Sequence, residues 1–319
     1  MAASKRRWGM PRRALATATL LAFVVSIPVA APAQQAPCDR TCLKGFIDAY
    51  FAALKANTPQ SLSQAAKARI TQNGADRRLA DTFWAGAEDA IWRFDIVNTR
   101  RGDAASQAVV RNTDGSKTMI VVRLKVQAGA ITEIETIKAN KGEADRLWDP
   151  DRLTAVSGYL TQSIRESERD SYYDLIGTAE SYWRAFQTNG TPNYRKARIM
   201  VDSLRFENGF QTTGLVRDGV FNDTARGFDE GKFIGRNIWD RRYPVVDEER
   251  GIVLSIVRFG LKAGAKSQSV ATSNDRLVAE FFAVKGGQIQ EIQAVLFNLP
   301  DAMPTGWPAD YSPARGAAQ

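Results

Sequence analysis

The sequence contains no histidine and only two cysteines among its 319 residues. Histidine is the commonest protein ligand of zinc and copper, so the sequence predicts no metal site, and it predicts no other cofactor. A nucleophile elbow, a glycine-rich phosphate loop and a CxxC redox pair are also missing. Serine hydrolase and phosphoryl-transfer chemistry therefore have no basis in this chain.

Long apolar runs are missing as well, except near the start of the chain. The apolar run Ala14–Ala31 follows five basic residues, and the small residues Ala31, Pro32 and Ala33 end it. This order of charged, apolar and small residues is typical of a secretory signal peptide. We therefore expect residues 1–33 to be cleaved and the mature protein to be secreted or periplasmic. An uncleaved membrane anchor is the alternative, although the run is shorter than the ~20 apolar residues that span a bilayer.

Strong net charge is absent once this segment is removed. The five basic residues of the segment have no acidic counterpart, so the formal charge falls from +8 to +3. No run of clustered lysine or arginine follows, and no nucleic-acid-binding signature is present. The sequence therefore predicts no nucleic-acid partner, and no membrane contact after cleavage.

The two cysteines, Cys38 and Cys42, are four residues apart near the predicted start of a helix. Cα atoms one helical turn apart are close enough for a disulfide, and an exported protein meets oxidising conditions. We expect a local disulfide here. Two free thiols, or a bond to another chain, are the alternatives.

An internal duplication is visible in three segments that recur in the same order. The matching pairs are residues 46–57 with 178–189, 68–74 with 203–209, and 129–137 with 287–295. In each copy an amphipathic helix precedes four segments with the composition of strands, separated by turn residues. The sequence predicts an α+β protein of two tandem units. Its predicted parts are the signal peptide (1–33), a first repeat (38–140), a linker (141–171), a second repeat (172–300) and a tail (301–319).

The segment Ile252–Phe259 is apolar at every position but Ser255 and Arg258. Such a strand is covered on both faces. We expect helices on one face and an enclosed cavity on the other, within a strongly curved, mainly antiparallel sheet.

Several motifs make the chain similar to a known group. These are "CDRTCLKGFIDAYFAALKAN", "RFENGFQTTG", "RRYPVVDEERGIV", "EFFAVKGGQIQEIQAVL" and "MPTGW". The chain resembles secreted, duplicated proteins of unknown function in the nuclear-transport-factor-2-like, or SnoaL-like, superfamily. The resemblance implies a cone-shaped, cystatin-like α+β barrel with a pocket in each copy, and the two repeats packed as an intramolecular pseudo-dimer.

The superfamily that the chain resembles includes isomerases, cyclases, dehydratases, epoxide hydrolases and binding modules. Several of its enzymes use a His-Asp pair, which this chain lacks. An isomerase-like mechanism with carboxylates and tyrosine needs no imidazole, so the resemblance leaves that chemistry open.

Glu207 is the first candidate for a general acid or base. A carboxylate shielded from water acquires a pKa nearer the working pH, and Glu207 stands in a predicted strand beside Arg205 and Asn208. The first copy has Gln72 at this place. A difference between glutamate and glutamine at matching positions is expected if the two copies have diverged in function. It is equally expected from neutral drift at a surface position. Arg205 and Asn208 are predicted to contact substrate.

Glu280 is the second candidate, because its predicted strand face is otherwise apolar. It shares that face with Val278, Phe282 and Val284. An acid in such a place either lines a cavity or stands where the strand end meets water.

The segment "RRYPVVDEERG", residues 241–251, supplies a third group of candidates. Its second half has the composition of a tight turn, which accounts for its acids as solvated residues. Arg241 and Tyr243 are nevertheless candidates to stabilise negative charge, and Asp247 is a candidate to contact substrate.

Tryptophans supply the remaining candidates. Trp183 and Trp239, together with other aromatic residues such as Tyr50 and Tyr182, are predicted to line an apolar pocket, although aromatic residues at such spacing also form cores. The sequence thus predicts an exported protein that holds a small apolar or aromatic molecule. It is either a lyase, isomerase or cyclase using carboxylates, or a binding or structural module without catalysis.

Overall fold

The fold is known from a computed structural model. It describes Met1 and residues 38–143, 147–262, 264–265, 275–300 and 303–310. The predicted signal peptide lies outside the described residues, Met1 excepted. No helix in the described part of the chain is long and apolar enough to cross a bilayer. Apart from Met1, the described residues belong to one compact unit, Gln35–Gln319.

The N-terminal half, residues 38–140, has one long helix followed by strands. Its elements are α1 (Arg40–Lys55), β1 (Gln64–Gln72), β2 (Ala75–Asp76), β3 (Ala87–Asn98), β4 (Asp103–Asn112), β5 (Lys117–Gln127) and β6 (Ala130–Asn140). Three 3-10 helices stand between them at Pro59–Ser61, Leu79–Asp81 and Phe83–Gly86. The four strand segments expected from the sequence overlap β3, β4, β5 and β6.

The C-terminal half, residues 172–300, repeats this order with additions. Its elements are α3 (Tyr172–Thr188), β7 (Ile199–Glu207), β8 (Phe210–Thr213), β9 (Leu215–Arg217), β10 (Val220–Asn222), α4 (Thr224–Asp229), β11 (Arg236–Asp247), β12 (Ile252–Leu261), β13 (Arg276–Lys285) and β14 (Gln288–Asn298). Helix α2 (Gly158–Thr161) and two 3-10 helices, Pro150–Arg152 and Glu166–Glu168, precede it.

The two halves have the same sheet topology. The strand orders are β2-β1-β6-β5-β4-β3 and β8-β7-β14-β13-β12-β11. In both sheets the first strand after the long helix lies parallel to the last strand, and the other neighbours are antiparallel. The fold is therefore α+β with two six-stranded mixed sheets, consistent with two tandem units. The described strands of each sheet do not close into a barrel, so the barrel that the resemblance implies is not formed by them.

Side-chain caps mark the beginning of both long helices. Asp39 caps α1 by accepting a hydrogen bond from the Cys42 backbone amide at 2.8 Å. Ser171 caps α3 in the same way, by accepting a hydrogen bond from the Asp174 backbone amide. A cap of this kind satisfies one of the amides that the first helical turn leaves without a partner. Cys38 and Cys42 form a disulfide across the first turn of α1, with their Cα atoms 5.3 Å apart.

The core consists of three apolar clusters in successive layers. One lies between α1 and the first sheet and includes Leu43 and Val122. Another lies between α3 and the second sheet and includes Phe186 and Phe282. The third joins residues of both sheets, and Phe94 meets Phe281 there with ring centroids 4.9 Å apart.

This layering explains why β12 is apolar on both faces. Val253 and Val257 face the cluster beneath α3, whereas Leu254 and Ile256 belong to the cluster between the two sheets. The cavity expected on that second face is occupied by side chains of the other sheet. Periodicity alone could not distinguish the two arrangements, because both remove the face from water.

The segments outside the two halves also pack against them. Leu160 of α2 and Ile164 are buried, and Leu160 joins the cluster between the sheets. In the described part of the tail, Trp307 donates a 2.9 Å hydrogen bond to Thr71 and stacks on Arg69 and Arg123. Both segments are thus anchored to the folded unit.

Candidate functional site

The candidate site lies on the face of the second sheet that packs against α3. Four side chains form one row across neighbouring strands: Glu207 on β7, Ala294 on β14, Glu280 on β13 and Ser255 on β12. Residues directly opposite each other in paired strands point to the same face. The two candidate acids therefore share a face, with only the small side chain of Ala294 between them.

Arg205 connects the two acids. It stands two residues before Glu207 on the same strand and forms an ion pair with it. Its Nε also lies 3.8 Å from Oε1 of Glu280. The side chains of Arg205 and Glu207 retain 14% and 9% exposure, whereas that of Glu280 retains 1%. Glu280 is thus the deepest of the three, and the arginine lies nearer to solvent.

Burial changes the acidity of Glu280. Loss of hydration disfavours the carboxylate, and the nearby charge of Glu207 disfavours it further, while Arg205 acts in the opposite direction. The balance raises the pKa of Glu280 to about 8. At neutral pH this side chain is therefore mostly a carboxylic acid, which can donate a proton.

Tyr182 of α3 completes the site from above the sheet. Its ring centroid lies 5.7 Å from the guanidinium carbon of Arg205, and its ring meets Phe282 edge-on. Burial raises the pKa of its hydroxyl well above the ordinary tyrosine value, so the hydroxyl is a neutral donor.

Four buried polar atoms of this cluster make no hydrogen bond of good geometry with a described residue, although Arg205 lies close enough to act on both Tyr182 and Glu280. They are the Tyr182 hydroxyl, Nε of Arg205 and both carboxyl oxygens of Glu280. Buried polar groups in proteins are almost always hydrogen-bonded, since an unpaired one costs about 1–3 kcal/mol. Donors and acceptors left open in one place are what a bound molecule would satisfy.

Among the described residues, the corresponding place in the N-terminal half has no such open groups. The equivalent row is Gln72, Thr136, Val122 and Ser106, so valine stands where the other half has Glu280. Gln72 accepts a 2.7 Å hydrogen bond from the Phe83 backbone. The N-terminal half therefore has a satisfied core at this position.

The helix tyrosine of the N-terminal half is satisfied as well. Tyr50, the counterpart of Tyr182, accepts a 2.8 Å hydrogen bond from Nε1 of the buried Trp84. The two rings meet edge-on, with centroids 5.1 Å apart. An indole thus occupies the space next to this tyrosine.

Asn208, predicted to contact substrate, bonds to the backbone. Its side chain donates to the Leu296 carbonyl at 3.2 Å and accepts from the Leu296 amide at 2.9 Å. Asn73 does the same with Lys138 in the N-terminal half, at 3.1 and 2.7 Å. Both asparagines are in the left-handed backbone region, which asparagine tolerates well. Because both asparagines make the same two backbone hydrogen bonds, we infer that each holds a turn against its sheet.

Arg241 and Tyr243 lie on the first strand of the second meander, where both contact α3. Arg241 bonds to Glu180 and Gln187, and the Tyr243 hydroxyl bonds to the same Glu180. Neither residue is among the charges that shift the pKa of Glu280. Their predicted role in stabilising negative charge stays a prediction.

Arg242 and Asp247 both bond to residues of the N-terminal half. Arg242 forms a two-pronged ion pair with Glu135, at 2.5 and 3.0 Å. Asp247 is buried, forms an ion pair with Arg40 and accepts a hydrogen bond from the Val97 amide at 3.1 Å. Glu248 and Glu249 follow in a turn, as the composition predicted. The structure thus places Asp247 at the junction of the halves.

The two predicted pocket tryptophans are both buried. Trp183 belongs to the cluster beneath α3, and its Nε1 donates a 2.9 Å hydrogen bond to Ser255, the last member of the site row. Trp239 lies on β11 with 7% exposure. Trp183 therefore forms part of the wall that holds the row in place.

Tyr182 is the site residue that sequence reasoning placed only among general aromatic residues. Tyr182 matches Tyr50 in the duplicated helix, and this match was a usable signal. The residues across from Tyr182 are Arg205 and Glu280, whereas those across from Tyr50 are Ile70 and Val122. Recognising this required the strand register, which the sequence alone does not supply. Among described residues, no group of three or more Asp, Glu or Cys side chains is arranged to hold a metal ion.

Comparisons with known proteins add a family match for the C-terminal half. Residues 168–296, which include every member of the site, match the model of a family described as a domain of unknown function, DUF8021. A solved structure, described as the crystal structure of the IdmH 96-104 loop truncation variant, is 20% identical. It aligns over 30% of this chain and 91% of its own length, with a TM-score of 0.24. No curated protein matches the chain.

Proposed function

We propose that the C-terminal half binds a small apolar or aromatic carbonyl compound and catalyses a proton transfer on it. The observation that carries this proposal is the cluster of open polar atoms on Tyr182, Arg205 and Glu280, at the end of an apolar layer. Apolar walls with a few convergent polar groups are typical of small-molecule sites. The reaction class is that of an isomerase, lyase or cyclase.

Each polar group has a role in the proposed step. The Glu207 carboxylate accepts a proton from a carbon next to the substrate carbonyl, while the neutral Glu280 donates its proton to the carbonyl oxygen. A carbon–carbon double bond forms as the carbonyl double bond is lost, giving an enol. In a substrate that also holds a carbon–carbon double bond beside this position, the enol is a conjugated dienol. Glu207 then returns its proton to the far carbon of the dienol, while the enol hydroxyl returns its proton to Glu280, which restores the carbonyl and completes an isomerisation. One base and one acid are both needed, and two carboxyl groups with different environments supply them.

Arg205 and Tyr182 stabilise the charge that develops on the substrate oxygen. A guanidinium and a neutral hydroxyl in a water-poor site are effective donors to an oxyanion, because they need no reorganisation during the reaction. The ion pair with Glu207 also keeps the arginine in position.

The wider proposal is an exported SnoaL-like protein in which each half forms a cone, and only the C-terminal cone carries a reactive site. The sequence pattern of residues 1–33 supports export, and the repeated sheet topology supports the two cones. The alternative function is binding without catalysis, which the same open polar groups would also support.

The test is a thermal-shift screen of the chain against steroids, terpenoids and small aromatic ketones, followed by mass spectrometry for turnover. Glu280→Gln and Glu207→Gln are screened alongside, and Asp202→Asn on the exposed part of β7 is the matched control. We expect a ligand that stabilises wild type and Asp202→Asn and is converted only by these two. A ligand that all four proteins bind and none converts would establish the binding alternative.

A further inference from the structure

A polar pocket lies where the two halves meet, away from the site around Glu280. It has a volume of about 450 Å³ and is bordered by the start of α1, the β3–β4 turn, the residues before α3 and the end of β11. A pocket of this size is in the range that small molecules occupy. Glu280, Arg205 and Tyr182 are not among its lining residues.

Asn98 contributes a buried side-chain amide to this pocket. Its side chain is buried, with 1% exposure, and neither its Oδ1 nor its Nδ2 has a hydrogen-bond partner among the described residues. A buried amide of this kind usually makes several hydrogen bonds. Oδ2 of Asp170, which also lines the pocket, is likewise buried without a hydrogen-bond partner among the described residues. Two open acceptors and one open donor group therefore line the same pocket.

The other charges of the pocket are largely paired with each other. Arg100 bonds to Glu248 with two contacts of 2.6 and 3.0 Å, and Arg40 bonds to Asp247 and, at 2.9 Å, to Glu249. Five carboxylates line the pocket against three guanidinium groups, so its formal charge is negative. An incoming group that carries positive charge is favoured over a neutral or anionic one.

We propose that this junction pocket binds a small molecule with a protonated primary amine next to a hydroxyl, such as an amino sugar or amino alcohol. An ammonium group has three donors and no acceptor, which suits Oδ1 of Asn98 and Oδ2 of Asp170. The neighbouring hydroxyl accepts from Nδ2 of Asn98. This site is independent of the proposed reaction in the C-terminal half.

The experiment is a calorimetric titration of the disulfide-intact chain with glucosamine, and with glucose as the ligand of equal shape that lacks the amine. We expect glucosamine to bind at least about tenfold more tightly than glucose. Asp170→Asn should weaken glucosamine binding about tenfold, and Asn98→Ala should weaken it by a similar factor. Asp218→Asn, an exposed acid outside the pocket, is the matched control and should change nothing.

Three results would overturn the proposal: no heat of binding with glucosamine, equal affinity for glucose, or unchanged affinity in Asp170→Asn. An NMR titration of wild type covers the case in which a variant fails to fold. The Asn98 side-chain amide signals should shift as glucosamine is added. Signals that stay in place while glucosamine binds would contradict the assignment of the pocket.

Discussion

The two halves of the molecule share one sheet topology and differ in the side chains at matching core positions. In the N-terminal half, Ile70 and Val122 stand where the C-terminal half has Arg205 and Glu280. Tyr50 is satisfied by the indole of Trp84, whereas the Tyr182 hydroxyl makes no hydrogen bond of good geometry with a described residue. A core that is optimised for stability leaves few polar groups open, so the open groups around Glu280 carry a cost that packing alone does not explain.

Among the changes that compare the two halves, replacement of Arg205 should lower the free energy of unfolding the most. Arg205→Met leaves Glu207 and Glu280 near each other without their shared cation, and breaking a buried ion pair in this way costs about 3–5 kcal/mol. Ile70→Met, the matched change in the N-terminal half, alters only the shape of an apolar side chain and should cost less than about 1.5 kcal/mol. Urea unfolding of both variants measures the difference. Similar losses in the two halves would contradict the assignment of Arg205.

The pH dependence of stability sharpens the contrast further. Glu280 keeps its proton in the folded chain up to about pH 8, whereas in the unfolded chain it loses the proton near its ordinary pKa. Between these two pH values the unfolded state binds fewer protons, so this residue lowers the free energy of unfolding as pH rises. Glu280→Gln removes the effect. We expect its stability relative to wild type to grow by roughly 3 kcal/mol from about pH 5 to 8.

The control for this experiment is Asp202→Asn, which changes an exposed acid on β7 of the same sheet. Its stability relative to wild type should be nearly constant over the same range. A flat difference for Glu280→Gln as well would mean that Glu280 ionises normally in the folded protein.

The smallest effect is expected for the helix tyrosines. Tyr50→Phe removes the acceptor of the buried Trp84 indole and should cost about 1–3 kcal/mol. Tyr182→Phe removes a buried hydroxyl that makes no hydrogen bond of good geometry with a described residue, so it should leave stability unchanged or raise it by up to about 1–3 kcal/mol. If Tyr182 donates to substrate, the same change lowers turnover while Tyr50→Phe leaves it unchanged. Chemical unfolding and the turnover assay separate these two effects.

The sequence predicted most of the fold, because helix and strand periodicity and turn composition are local signals. The long helices and the eight meander strands overlap the expected segments. It did not predict that the second face of β12 packs on the other sheet, since that depends on how the sheets meet. The barrel was expected from resemblance, and the described strands do not form one.

The candidate site was only partly predictable, because the sequence indicates single residues but not which of them meet in the fold. Glu207 was selected for its place in a predicted strand beside Arg205, and Glu280 for its otherwise apolar strand face. Their common row depends on the pairing of β7, β14 and β13. Asn208 was selected for its neighbours, whereas its amide holds a turn, as Asn73 does in the other half. Long-range register, which no local pattern encodes, decides which polar residues meet.

The acidity of Glu280 is the property on which the account depends most. It can be measured by a carbon-13 NMR titration of the glutamate carboxyl groups in wild type and in Glu280→Gln. The account predicts one glutamate signal that titrates near pH 8 in wild type and is absent from the variant. If every glutamate instead titrates near its ordinary pKa of about 4.3, Glu280 is a carboxylate at neutral pH and cannot be the acid of the proposed step.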